Sequence, residues 1–130
     1  MRVKSNIDSG LSQAIQEMGI AALELPESWL DANNAVYRKR RDKVVAVLNE
    51  IGLNATAPKA ALYIWVRVPA GFTSAEFTQR LLDEVNVVVT PGNGYGKAGE
   101  GYVRLSLTTP DDRIDEGLRR LSTFSLDNRK

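Results

Sequence analysis

Five glycines fall within eleven positions, at Gly92, Gly94, Gly96, Gly99 and Gly101, between two stretches that read as β-strands. Glycine is dense where the backbone must follow a path that a side chain forbids, so residues 91–101 specify a particular loop rather than a passive link. On its far side Tyr102, Arg104, Ser106 and Thr108 alternate with Val103, Leu105 and Leu107, the period of a strand with one face in a core and the other polar. Arg104 therefore stands on the polar face, just past the loop. A guanidinium carried by a strand is a rigid fork whose donors match a carboxylate or a phosphate. The plainer alternative is a solvated arginine on a half-exposed strand.

The same glycines imitate two nucleotide-binding signatures and satisfy neither. Gly94, Gly96 and Gly99 have the G-x-G-x-x-G spacing, but that motif needs a helix after it to hold a pyrophosphate at its N-terminus, and here a strand follows. Gly96-Lys97 resembles the end of a P-loop, yet Ala98 stands where a hydroxyl would reach magnesium and Pro91 where the first glycine belongs. Two readings of the loop remain: a long hairpin-like connection, or a segment that lets a small substrate approach the backbone near Arg104.

Composition excludes several function classes. Lys and Arg number 17 against 16 Asp and Glu, a formal charge of +1, so the broad basic field of a nucleic-acid binder is missing. Arg38-Lys39-Arg40-Arg41 is the one basic run, on a predicted helix, and reads as a solvated or domain-contacting face. Cysteine and histidine are absent, which removes disulfides, thiolate and imidazole chemistry and nearly every zinc site. There is no long apolar run and no leader pattern, so the expected location is the cytoplasm, with no membrane and no nucleic acid as partner. The 130 residues suffice for one core.

Along the chain the order of elements is α/β. Leu11, Ile15, Met18, Ala22 and Leu25 recur at helical spacing and predict a helix near 9–24 capped by Asp8 or Ser9. Past Pro26 a long helix is expected over 28–51, with Val36, Val44, Val47, Leu48 and Ile51 on one face and Gly52 as its stop. A short strand near 53–56 and a firmer one over 61–68 follow. Thr73 and Glu76 form a capping box for a helix with Phe77, Leu81 and Val85 inward. Residues 87–90 are a short strand. After the Arg104 strand, Thr109 with Asp112 caps a last helix, with Pro110 in its first position and Ile114, Leu118 and Leu121 facing inward. Tyr63, Trp65 and Tyr95 read as core or loop aromatics rather than ligand walls.

Four segments carry a resemblance to a known family: KSNIDSGLSQAIQ at 4–16, VYRKRRDKVVAVLNEIGL at 36–53, YIWVRVP at 63–69 and VVVTPGNGYGKAGEGYVRLSLT at 87–108. They resemble the class I/II, fold-type I pyridoxal-phosphate aminotransferases, and among them the LL-diaminopimelate aminotransferase group. The resemblance implies the family's two-layer small domain, an α/β (α+β) unit with a mostly antiparallel sheet of three to four strands, helices on one side and a long linking helix. It implies residues 1–25 as a remnant of the large domain's last helix, 26–52 as the linking helix and 53–130 as the small domain.

The resemblance also implies roles for particular residues. Arg104 would bind the substrate α-carboxylate, and Asn6, with Ser5 beside it, would reach a substrate's distal end across a homodimer; plain turn chemistry is the alternative for Asn6. The Schiff-base lysine and the other cofactor-holding residues lie N-terminal to the matched part, so Lys4, Lys39, Lys43, Lys59 and Lys97 are expected to be solvated charges and no catalytic or cofactor-binding residue is assigned. The implied function is the C-terminal part of an aminotransferase that moves an amino group to a 2-oxo acid, inactive alone, with pyridoxal phosphate bound in the intact parent only. The alternative is a stand-alone carboxylate-binding or regulatory module without catalysis. Leu11, Ile15 and Met18 form an apolar stripe expected to drive self-association.

Overall fold

The computed structural model describes residues 10–126, and the chain divides into two compact units, Met1–Ala35 and Val36–Lys130. In the first, helix α1 spans Gln13–Leu23. It begins later than the apolar spacing suggests, because the Ser12 carbonyl accepts the first helical N–H groups, from Ile15 at 3.1 Å and Gln16 at 3.2 Å. Ser12 is the N-cap, and the expected caps Asp8 and Ser9 lie outside the described residues. No residue of α1 is buried. Helix α2 covers Glu27–Glu50, and its buried residues, Val44 and Leu48, both lie in the second unit.

Helix α2 ends as its sequence requires. Gly52 takes φ +85°, and the N–H groups of Gly52 and Leu53 return to the carbonyls of Asn49 and Leu48 at 3.0 and 2.9 Å, which satisfies carbonyls that a helix end leaves bare. The expected strand at 53–56 does not form. Asn54 is left-handed at φ 49°, and the Asn49 side chain takes both polar groups of Ala55, accepting its N–H at 2.6 Å and donating to its carbonyl at 3.2 Å. A backbone already paired with an amide has nothing left for a neighbouring strand.

Strand β1 is Tyr63–Arg67, α3 is Ser74–Val85, β2 is Thr90–Pro91, β3 is Tyr102–Ser106 and α4 is Asp111–Leu121. The three strands form an antiparallel sheet in the order β1-β3-β2. Helix α3 starts with the expected capping box between Thr73 and Glu76 and ends at left-handed Asn86. The predicted strand over 87–90 shrinks to its last residue plus Pro91, because the Val87 N–H is still bound to Leu81 O at 3.2 Å, closing the helix. Helix α4 likewise departs from expectation. Pro110 is its N-cap and no side chain caps it, since the Pro110 carbonyl accepts from Arg113 and Ile114 at 3.1 and 3.0 Å and leaves Thr109 one residue too early.

The sheet's two faces differ as alternation demands. Ile64, Val66 and Val103 are almost sealed from solvent and join Phe77 and Leu81 of α3, Val44 and Leu48 of α2, and Ile114, Leu118 and Leu121 of α4 in one core. Phe77 sits edge-on to Phe72 and Phe124, with ring centres 6.1 and 5.9 Å away. The basic side chains of α2 are partly consumed here: Arg40 pairs with Asp111 at 2.6 Å and donates to Leu107 O at 3.0 Å, while Lys43, just past the basic run, pairs with Asp115 at 2.6 Å. The opposite face of the sheet carries Tyr63, Trp65 and Arg104.

Candidate carboxylate site

Arg104 lies on the central strand, opposite Trp65 of β1 and Thr90 of β2. Its neighbours on both sides are hydrogen-bonded strands, so the Cα–Cβ vector is held by the sheet. The guanidinium carbon lies 4.0 Å from the ring centre of Tyr63 and 4.5 Å from that of Tyr95, within range for attraction between a cation and the negative face of a ring. Tyr95 meets Trp65 edge to face at 5.4 Å. Six ion pairs are present among the described residues and none includes Arg104. Its Nε is buried without a hydrogen-bond partner. A buried donor left unpaired costs about 1–3 kcal/mol, so the guanidinium is held here by its surroundings and not by a hydrogen bond from Nε.

The glycine-rich loop reaches this site as two short 3-10 turns, Gly92–Tyr95 and Lys97–Gly99. Gly92 and Gly99 pack backbone to backbone: a methyl on Gly92 would collide with the Gly99 carbonyl and lie 2.7 Å from Tyr102 O, and one on Gly99 would collide with the Gly92 carbonyl. The glycines at these two positions thus let the loop fold on itself, which neither sequence reading of the loop anticipated. Gly94 and Gly96 have open space around them. The fold of the loop places Tyr95 beside Arg104.

A carboxylate fastens the loop to α3. Glu100 Oε1 accepts the Ser74 N–H at 2.7 Å and the Gly101 N–H at 2.8 Å, and Oε2 accepts the Ser74 hydroxyl at 2.9 Å. The Ser74 oxygen in turn accepts the Asn93 N–H at 3.3 Å. The Ser74 N–H, then the Gly101 N–H and the Ser74 hydroxyl, hold the Glu100 carboxyl below the usual carboxylate range. Ser74 is wholly buried. Sequence reasoning missed this lock; the one signal was an acidic residue set between two glycines, Gly99 and Gly101, and its partner lies 26 residues away.

Of the residues named from sequence, the structure brings Arg104, Tyr63 and Tyr95 together, whereas Asn6 and Ser5 lie outside the described residues. Lys39, Lys43, Lys59 and Lys97 are all exposed. A groove of about 320 Å³ lies elsewhere, between residues 86–89 and α4, with Val88, Arg113, Ile114, Gly117 and Arg120 among its walls and no lysine. Among the described residues no group of acidic side chains is arranged to hold a metal ion, and no helix is long and apolar enough to cross a membrane.

The sequence profile of the family Aminotransferase class I and II matches residues 1–121. The chain belongs to that family. It is 56% identical over 123 residues to the LL-diaminopimelate aminotransferase of Dehalococcoides mccartyi strain 195, a match that covers 95% of this chain and 32% of the relative. This aminotransferase-family chain therefore spans about a third of the length of the curated relatives it matches. Among solved structures it resembles an aminotransferase from Staphylococcus aureus, with a TM-score of 0.81 and 32% identity over 93% of this chain and 32% of that one. It also resembles an aromatic aminotransferase from Pyrococcus horikoshii OT3, with a TM-score of 0.69 and 40% identity over 78% of this chain and 28% of the other. The α+β sheet-and-helix architecture is that of these enzymes.

Proposed function

We propose that this chain supplies the substrate-carboxylate site of a pyridoxal-phosphate-dependent aminotransferase, with Arg104 as the residue that binds. The observation that carries this reading is a guanidinium fixed on the central strand, with no acidic partner among the described residues. An amino acid and its 2-oxo acid share a carboxylate next to the reacting carbon, so one fork serves both halves of an amino transfer. Similarity to an LL-diaminopimelate aminotransferase favours a dicarboxylic amino acid as substrate. Residues 53–130 form the small domain on this reading, 26–52 the linking helix and 1–25 the end of the large domain; Asn6 approaches the substrate from a second subunit.

When bound, the cofactor supplies the electron sink for breaking the bond at the α-carbon. The described residues do not fit its attachment point. Each described lysine is exposed, and Lys43 is engaged by Asp115 at 2.6 Å. No step through the cofactor is assigned to this chain, which by itself is inactive. What it contributes is orientation: a bidentate pair at the carboxylate leaves the bonds at the α-carbon pointing in one direction, and positioning of that kind lowers a barrier without chemistry of its own.

Carboxylate binding by the chain tests the reading directly. Acetate and glutarate titrated into the ¹⁵N-labelled chain are expected to shift the Arg104 side-chain resonance, and Arg104→Ala is expected to weaken binding about 100-fold, the loss of two charge-assisted hydrogen bonds. Equal affinity in the variant would overturn the assignment.

A further inference from the structure

Resting on the reading of Arg104 as the carboxylate-binding residue, we infer that Tyr63 and Tyr95 are positioning residues that cover the guanidinium from two sides, so that a ligand meets only its edge and planar anions are selected over tetrahedral ones. Both ring centres lie within 4.5 Å of the guanidinium carbon. Among the described residues the ring partner of Tyr95 is Trp65 rather than Tyr63, as expected when the two tyrosines flank the cation instead of stacking on each other. Nε is buried, which leaves the pair of terminal Nη nitrogens as the edge open to a ligand. A carboxylate lies in the plane of that edge and takes both donors at once. A tetrahedral phosphate projects oxygens above and below the plane, into the space the rings hold.

The two rings come from different parts of the unit, and each is held independently. Tyr63 is the first residue of β1, with its backbone paired to Ser106. Tyr95 closes the first 3-10 turn, whose path depends on the Gly92–Gly99 contact and on the Glu100 bonds to Ser74 and Gly101. The glycine-rich loop thus serves the arginine through a side chain rather than through its own backbone. A cation flanked in this way is set in place before the ligand arrives, which reduces the ordering cost of binding.

The test uses the ¹⁵N-arginine-labelled chain, with the Arg104 Nε–Hε resonance assigned by its loss in Arg104→Lys. In the native chain this resonance is expected at a ring-current-shifted position, and acetate is expected to bind at least about tenfold more tightly than inorganic phosphate. Tyr63→Leu and Tyr95→Leu should each remove part of the ring-current shift, weaken acetate about tenfold and narrow the preference over phosphate, the scale of one cation–ring contact. Tyr63→Phe and Tyr95→Phe, which keep the rings, should recover the affinity to within about twofold; amide spectra confirm that each variant is folded. If Arg104→Lys abolishes acetate binding while both Leu variants bind like the native chain, the clamp is wrong and the carboxylate reading stands. If Arg104→Lys leaves acetate binding unchanged, the carboxylate reading fails, and the clamp with it. Phosphate binding as tight as acetate in the native chain would overturn selection by the rings.

Discussion

The glycines of the loop are not equivalent, and experiment separates them. Gly92→Ala places a methyl against two backbone carbonyls, Gly99 and Tyr102, neither of which can move aside like a side chain. The expected cost is about 1–3 kcal/mol, read from the urea midpoint. Gly94→Ala meets open space and should cost less than about 0.5 kcal/mol. A similar loss in both would mean that the loop does not fold on itself. Arg104 was legible as a single residue, because strand alternation put it on the polar face and the loop before it was unusual. Glu100 and the two tyrosines were not, because nothing in a linear pattern pairs residue 100 with 74 or 95 with 104.

At the scale of elements, local signals succeeded where the stabilising partners lie within one turn. The Thr73–Glu76 capping box is such a case, with the Thr73 N–H bound to Glu76 at 2.8 Å and the Glu76 N–H bound to the Thr73 hydroxyl at 3.2 Å. Thr73→Ala should cost about 1 kcal/mol in thermal or urea unfolding. Helix α4 carries a comparable charged cluster. Glu116 receives hydrogen bonds from Arg119 and then Arg120, which hold its carboxyl near a pKa of about 2 against the usual 4.5. A folded-state pKa below the unfolded one means that the unfolded chain binds the proton more tightly. The contribution is therefore complete above about 4.5 and is lost as pH falls toward about 2. All three side chains of the cluster are open to solvent in part, so the effect is small and fades with salt. Glu116→Gln should flatten the stability profile across that acid window at low ionic strength; an unchanged slope would show that the cluster does not persist in solution. The elements that sequence patterning misjudged, at 53–56 and 87–89, each contain a residue whose backbone is taken locally, Ala55 by the Asn49 side chain and Val87 by the Leu81 carbonyl.

For the whole molecule, stability rests on the core of Val36–Lys130, and Phe77→Ala should cost about 3–5 kcal/mol because the ring is fully buried between Phe72 and Phe124. Residues 10–35 have no such core. Ile15, Met18 and Leu23 are 49–89% exposed, an apolar stripe on α1 that water disfavours, and Leu11 just before the helix is exposed too. Sedimentation of the chain is expected to show association that increases with concentration, and Ile15→Lys with Met18→Lys should return it to a monomer; a monomer at every concentration in the native chain would count against the stripe as a contact surface. Hydrophobic period and turn chemistry are local quantities, so the chain order alone was enough for helices α2, α3 and α4, the inward faces of the Arg104 strand and the place of the unusual loop. Long-range packing chose which rings flank the guanidinium, which carboxylate closes the loop onto α3 and where pairing with β2 begins. Those contacts join residues that are distant in the chain, and their geometry exists only once the sheet has brought the strands side by side.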